Sequence, residues 1–428
     1  MQKYSKYKDS GVKWLGEIPS HWEVKHLRNF LTLFSEKGFG DSQLLSVTRE
    51  KGVILRDRDN KEENHNFVPD DLSGYKHLNA GDFVINKMKS WQGSYGVSDY
   101  EGIVSPAYFT CKLHGINSKF FSRAIRSRAY IGFFMQFSKG IRVDQWDLDP
   151  NSMKEIPFVV PSNEEQIAIV NYLDSVTSKI DEAIAQQQKM IDLLNERKQI
   201  IINDAVTKGL DPKAKMKDSG IDWIGQIPEH WEIRKLKYML RTNLMYGANE
   251  SAESDDPSFP RYIRITDIDE DGSLKPDTFR SLPPLKAEPY LLDKGDLLFA
   301  RSGATAGKTY LFNEDAKACF AGYLIKASLK DVMMPGYLNY YTKSGVYDNW
   351  KKSIFIQATI PNIGADKYAN LLVTLPSKKE QQDIIKYLDL ETGKVNQVVS
   401  ECKEKIALLQ ERKQIIINDV VTGKVKVA

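Results

Sequence analysis

Residues 8–23 read KDSGVKWLGEIPSHWE, and residues 217–232 read KDSGIDWIGQIPEHWE. Eleven of the sixteen positions are identical. A second match lies later in each half: LLNERKQIIINDAVT at 193–207 and LLQERKQIIINDVVT at 408–422 agree at thirteen of fifteen positions. The chain is therefore an internal duplication, offset by 209 at the first match and 215 at the second, a period too long for a solenoid. Between the matched ends the halves diverge. Only fragments still correspond, Gly81-Asp-Phe-Val-Ile beside Gly295-Asp-Leu-Leu-Phe and Pro157-Phe-Val-Val-Pro161 beside Leu372-Val-Thr-Leu-Pro376. Shared ends do one job twice, and the unlike middles do two different jobs on one scaffold.

Each half closes on a periodic segment. Pro161-Ser-Asn-Glu-Glu165 and Pro376-Ser-Lys-Lys-Glu380 each hold a Ser-x-x-Glu capping box behind a proline, which predicts a helix start. Apolar residues then recur at spacings of three and four. They are Leu173, Val176, Ile180, Ile184, Ile191, Leu194 and Ile201 in the first copy, and Leu388, Val395, Val399, Cys402, Ile406, Leu409 and Ile416 in the second. A period near 3.5 with Glu, Gln and Lys elsewhere predicts a coiled-coil seam. Gly209 and Gly423 mark the stops. About 44 residues make a rod of roughly 65 Å, which needs a partner. The other copy is the obvious one, and the intervening globular segment favours an antiparallel pair. Gln187, Lys198 and Lys413 interrupt the seam and suggest that something else partly covers it.

The resulting division is a first head at 1–160, a helix at 161–208, a second head at 209–375 and a helix at 376–428. In the heads, Gln43–Thr48, Arg261–Thr266 and Asp296–Ala300 read as strands, and Lys119–Phe137 and Gly336–Trp350 as helices. The expected fold class is α+β: two mixed globular heads separated by two long antiparallel coiled-coil helices, with pseudo-twofold internal duplication.

Composition narrows the function. The chain has 428 residues, 41% of them hydrophobic and 27% charged, as in an ordinary multidomain globular protein. No run of eighteen apolar residues and no apolar leader occur, so no membrane association and a cytoplasmic location are expected. The three cysteines are far apart and the six histidines lack metal spacing, so no metal site is expected. A net charge of +3 neither announces nor excludes a nucleic-acid partner.

Candidate chemistry is thin. Gly303-Ala-Thr-Ala-Gly307-Lys308-Thr309 resembles a phosphate-binding loop but has three residues between its glycines where four are needed. Ser105-Pro-Ala-Tyr108 echoes a base-flipping methyltransferase loop but lacks its second proline and any glycine-rich methyl-donor loop upstream. Pro276-Asp277 with Asp315-Ala-Lys317 is too loose for a nuclease signature. What remains are polar and basic loops just after strands. In the first head these carry Thr48, Arg49, Asn86, Lys87, Lys89, Trp91, Gln92, Arg142 and Gln145. In the second they carry Arg264, Thr266, Asp267, Arg301, Ser302, Lys308, Thr309, Gln357, Thr359 and Asn362. Arg and Lys suit guanine edges and phosphates, while Gln and Asn suit adenine.

Three features together resemble the specificity (S) subunit of type I restriction–modification systems. They are the doubled KDSG…HWE opening, the Gly-Asp-Leu-Leu-Phe-Ala-Arg-Ser-Gly303 run, and the Pro-Ser-x-x-Glu-Gln…Tyr-Leu-Asp helix starts at 161–174 and 376–389. The first head departs at Asn86-Lys-Met-Lys-Ser-Trp91, where the second has Ala300-Arg-Ser-Gly303. The resemblance implies a noncatalytic chain with two target-recognition domains, each reading half of an interrupted asymmetric site in double-stranded DNA. It implies helices that set the spacer and dock two methyltransferase subunits, which two restriction translocase–nuclease subunits can join. S-adenosylmethionine, ATP and Mg²⁺ would then be bound by partners and no cofactor by this chain. The rival from another class is a protein-only coiled-coil adaptor.

Overall fold

In the computed structural model, residues 2–57, 68–140, 146–269, 272–355 and 361–427 are described. The contacts fall into two compact units, Met1–Gln187 with Glu404–Ala428, and Gln188–Lys403. Two long helices, Asn163–Lys208 and Lys378–Val421, each begin in one unit and end in the other. Each unit thus holds one head, the first half of the helix that follows it, and the last half of the other helix.

The heads share a frame. Each has a four-stranded antiparallel sheet with the same strand order. In the first it runs Leu31–Phe34, Phe109–Leu113, Phe83–Ile85, Tyr95–Val97, and in the second Met245–Tyr246, Leu324–Ala327, Leu297–Ala300, Thr309–Leu311. The repeated opening segment is a hairpin, Tyr7–Asp9 with Glu17–Pro19 and Met216–Asp218 with Gln226–Pro228. A further pair ties the start of each head to its end, Glu23–His26 with Pro157–Val160 and Glu232–Lys235 with Leu372–Leu375. The difference lies between these. The first head adds the hairpin Leu45–Thr48/Gly52–Leu55 and an antiparallel pair, Lys76–Leu78/Gly102–Val104. The second instead pairs Arg261–Ile263 with Ala318–Phe320 in parallel. Each stretch expected as one helix is two. Ser118–Ile125 and Arg128–Phe137 are separated at an extended Ser127, and Pro335–Tyr341 and Gly345–Phe355 at Thr342–Ser344.

The duplicated residues are those that fasten head to helix. Glu165 closes its capping box with Ser162 and is also the acceptor for Trp22 Nε1 at 3.4 Å, with His21 Nε2 3.0 Å away. Glu380 repeats this with Ser377, with Trp231 Nε1 at 2.9 Å and with His230 Nε2 at 2.8 Å. The next residue, a fully buried glutamine, accepts an amide from the head and donates to its own proline carbonyl. Gln166 does so with Asn117 and Pro161, and Gln381 with Met334 and Pro376. The aspartate of Tyr-Leu-Asp reaches a head helix too, Asp174 to Arg123 and Asp389 to Tyr340. Its neighbouring leucine, Leu173 or Leu388, is wholly buried, worth about 2–5 kcal/mol against alanine.

The helix ends belong to the opposite head. Ile416, Ile417, Val420 and Val421 lie in the core of the first unit, while Ile202, Ala205 and Val206 lie in that of the second. Asn418 Oδ1 accepts from Ala129 N–H and Asn203 Oδ1 from Val346 N–H, each capping a head helix whose own preceding residues supply no side-chain cap at that amide. Gly209 (φ 74°) and Gly423 (φ 76°) end the helices in the left-handed region, and a Cβ on either would come 3.0 Å from the ring of Trp231 or Trp22.

The seam runs antiparallel. Leu173, Ile180, Ile191 and Val395 are buried, and Ile184, Leu194, Val399, Ile406 and Leu409 are half-buried. The seam lysines do not wait for another covering partner. Lys413 Nζ lies 2.7 Å from both oxygens of Asp181 in the first unit, and Lys198 Nζ lies 2.8 Å from Asn396 Oδ1 in the second. Both pairs of residue numbers sum to 594, as one antiparallel register requires, and the repeat offset of 215 converts one pair into the other. With Asp181 largely exposed, such a pair contributes about 0.2–1 kcal/mol, so its value lies in fixing register.

Hydrogen bonds from Ser377, Trp231 and His230 outweigh the opposing effect of burial and hold the Glu380 carboxyl down at about 2. A depressed folded value stabilises above the ordinary carboxylate range and is lost as pH falls toward 2. The stability gap between wild type and Glu380→Gln should therefore be present at pH 7 and shrink between pH 5 and 3 in denaturant titrations. Asn418→Ala removes a cap and should cost about 1 kcal/mol, seen as a lower urea midpoint for the first head; Asn203→Ala should do the same to the second.

Candidate nucleic-acid interface

In each head the chain leaves the central sheet strand, Phe83–Ile85 or Leu297–Ala300, directly into a polar loop. That loop is met by a second one from late in the head. Leu148 N–H donates to Lys87 O at 3.1 Å in the first head, and Ile363 N–H donates to Arg301 O at 2.8 Å in the second. The frame thus brings Lys87 beside Asp147 and Arg301 beside Asn362, at corresponding places. Arg142 and Gln145, and likewise Gln357 and Thr359, lie outside the described residues.

In the first head Lys87 Nζ is 2.9 Å from Asp147 Oδ2, and Trp91 faces Trp146 with ring centroids 5.2 Å apart. Lys89 and Met88 are exposed and Gln92 is half-buried. Asn86 is buried, its amide donating to Tyr108 OH at 3.3 Å, so it shapes the loop and does not reach outward. Thr48 spends its hydroxyl on Gly52 O in the turn of the Leu45–Thr48/Gly52–Leu55 hairpin. The Arg49 side chain is exposed, while its carbonyl and those of Glu50, Gly93 and Tyr95 are gathered by the Arg126 guanidinium. Burial pulls that guanidinium below its ordinary pKa, so the four carbonyls keep an otherwise costly charge satisfied.

In the second head the Arg301 guanidinium carbon sits 5.1 Å from the centre of the Tyr246 ring. Its own N–H donates to Tyr323 O at 2.9 Å, and the Tyr323 side chain is 61% exposed. Ser302 bridges to Asn362, and Gly303 N–H donates to Pro361 O. Lys308 is half-buried at the start of the return strand. Two expected contacts are corrected by burial. Thr309 is 6% exposed and bonds Thr342 at 2.9 Å on the inner face of its strand. Asp267 is 1% exposed and is bound twice by the Arg264 guanidinium, which also donates to Thr278 O. Arg264 is thereby committed to a structural pair, and only Thr266 of that trio is exposed. Tyr246 and Tyr323 carry no mark in the sequence, and Tyr108 stands out there only as the end of the Ser105–Tyr108 loop. Strand register brings them to the loops.

The phosphate-loop resemblance fails on geometry. Amides that would cradle an anion are spent within the loop, Gly307 N–H on Ala300 O and Lys308 N–H on Thr305 O, and a strand follows where a helix is needed. Ser105–Tyr108 is an ordinary turn closed by Tyr108 N–H to Ser105 O. Burial pushes the Cys111 and Cys319 thiols up to about 12, away from thiolate chemistry. Among the described residues no group of three or more His, Cys, Asp or Glu could hold a metal ion, and no helix is long and apolar enough to cross a membrane.

Residues 228–397 match the type I restriction modification DNA specificity domain. A Methanocaldococcus jannaschii protein assigned as the MjaX type I restriction enzyme specificity subunit is 24% identical, over 98% of both chains. The type I restriction enzyme EcoKI specificity subunit of Escherichia coli K12 is 20% identical over 96% of this chain and 90% of that one. A solved chain, from work on complex assembly and conformational transition of the type I R-M system, shares the fold. Its TM-score is 0.69 at 16% identity, covering 95% of this chain and 99% of that chain. Residues 228–397 thus carry a type I restriction modification DNA specificity domain, and the chain over nearly its whole length is similar to type I restriction enzyme specificity subunits.

Proposed function

We propose that this chain is the noncatalytic reader of a type I restriction–modification complex, with each head reading one half of an asymmetric bipartite DNA site. The observation that carries the reading is a pair of heads with one sheet order and unlike loop edges, Lys87 with Asp147 in one and Arg301 with Asn362 in the other. A common frame presents both edges to duplex in the same manner, and different side chains on it read different bases. Phosphate contacts from exposed cations such as Lys89 would supply much of the affinity and make it fall steeply with salt.

The helices serve as the ruler between half-sites, as dimer geometry does in other readers. They also offer one docking patch twice. Leu193 and Ile200 are 51% and 55% exposed, and their repeat equivalents Leu408 and Ile415 are 66% and 45% exposed. Duplicated apolar positions of this kind suit two copies of one partner, here two methyltransferase subunits, with two restriction subunits joining them. S-adenosylmethionine, ATP and Mg²⁺ belong to those partners, and the complex works where the DNA is, in the cytoplasm.

Two edits test the reading. Exchanging residues 24–160 for the corresponding head of a relative, and mapping methylated sites with the methyltransferase partners present, should change one half of the recognised sequence and leave the other intact; a change in both halves would overturn it. Adding seven residues to both helices, at 188 and 403, keeps the seam in phase and lengthens the rods by about 10 Å. The spacer should then grow by about three base pairs at 3.4 Å each, and an unchanged spacer would refute the ruler.

A further inference from the structure

The loop edge of the second head holds a cation arranged unlike the cations described above. Arg264 is spent on the buried Asp267, and Lys87 in the first head is paired with Asp147. Arg126 is spent on four backbone carbonyls. Arg301 meets no carboxylate among the described residues; its guanidinium lies over the ring of Tyr246. A cation over a ring face takes up none of the guanidinium N–H donors, which stay available to a planar acceptor.

Arg301 is held at its backbone and against one ring. The Arg301 backbone is tied through its N–H to Tyr323 O at 2.9 Å and through its carbonyl to Ile363 N–H at 2.8 Å. The ring beneath it is tied as well. Tyr246 sits on a strand paired with Ile325, and its hydroxyl accepts from Ala365 N–H at 3.0 Å. The exposed Tyr323 and Asn362 flank it. A flexible lysine is enough for a phosphate, whereas a planar fork resting on a tied ring suits a planar pair of acceptors, and O6 with N7 of guanine is that pair in the major groove.

We propose that Arg301 reads one guanine in the half-site of the second head, with Tyr246 as the positioning residue that fixes the plane of its guanidinium. This rests on the bipartite DNA-reading function proposed above. In the first head Lys87 with Asp147, the counterpart of Asn362, puts a neutralised pair at the corresponding place, so the two half-sites differ there.

The test uses the full chain with its methyltransferase partners and a pool of random duplexes, methylated and then sequenced. Wild type, Arg301→Ala, Arg301→Lys and Tyr246→Leu are compared, with thermal unfolding as the folding control. Arg301→Ala should relax one G·C position in one half-site by roughly 5- to 150-fold and leave the other half unchanged. Tyr246→Leu should relax the same position by a smaller factor, a shift that a merely structural role would not confine to one base. Arg301→Lys separates a fork from a point charge and should also lose discrimination. Equal weakening on all sequences, with a salt slope reduced by about one, would make Arg301 a phosphate contact and overturn the proposal. Relaxation at an A·T pair would overturn it too. If wild type selected no bipartite sequence at all, the proposed function would fall first and this inference with it.

Discussion

Each unit depends on an indole shared between two helices. Trp22 donates to Glu165 at the start of the first long helix and packs on Gly423 at the end of the second. Trp231 does the same between Glu380 and Gly209. Because the same ring touches a helix start and the other helix's end, it sets the antiparallel sense of the pair at each head. Glycine suits the place opposite it, since the chain turns there at positive φ and a Cβ would crowd the ring, and at Gly423 would run into Pro19 as well. The carboxylate under the indole also closes the helix cap, so helix start, head attachment and helix pairing are one linked arrangement.

The duplicated sequence follows from this linkage. The HWE of the opening segment, the Ser-x-x-Glu-Gln of the helix start and the Asn of the helix end are three points at which head meets rod, and all occur in both units. Residues bound to a shared frame cannot drift apart without breaking partners in two elements. The segments between carry no such double obligation. One head there pairs strands antiparallel and the other in parallel, with the central sheet order unchanged.

Much of the fold was legible because its signals are local: a capping box, a 3.5-residue period, a terminal glycine. The seam from Leu173 to Leu194 and from Val395 to Leu409 follows from spacing alone. What spacing does not encode is which head each helix end completes. Asn203 and Asn418 look like polar interruptions in an apolar run until a head helix is placed against them. Lys198 and Lys413 likewise look like seam defects until the register sets Asn396 and Asp181 opposite. At the interface, polar loops after strands were visible, but the side of a strand that a residue faces was not. Thr309 points inward to Thr342, and Asp267 is enclosed by Arg264, because sheet register and a turn of 3-10 helix decide their direction.

The exchange of helix ends reaches back to synthesis. The core of the first unit includes Ile416 through Val421, and a bridge joins Gln2 to Lys426. A ribosome therefore releases the opening head long before it makes the residues that finish that head's interior. The earliest part of the chain must wait, partly open, for the latest, while the second unit has every strand and helix it needs beforehand. Folding order thus runs against translation order, and a message cut short near its end would cost the head that was made first.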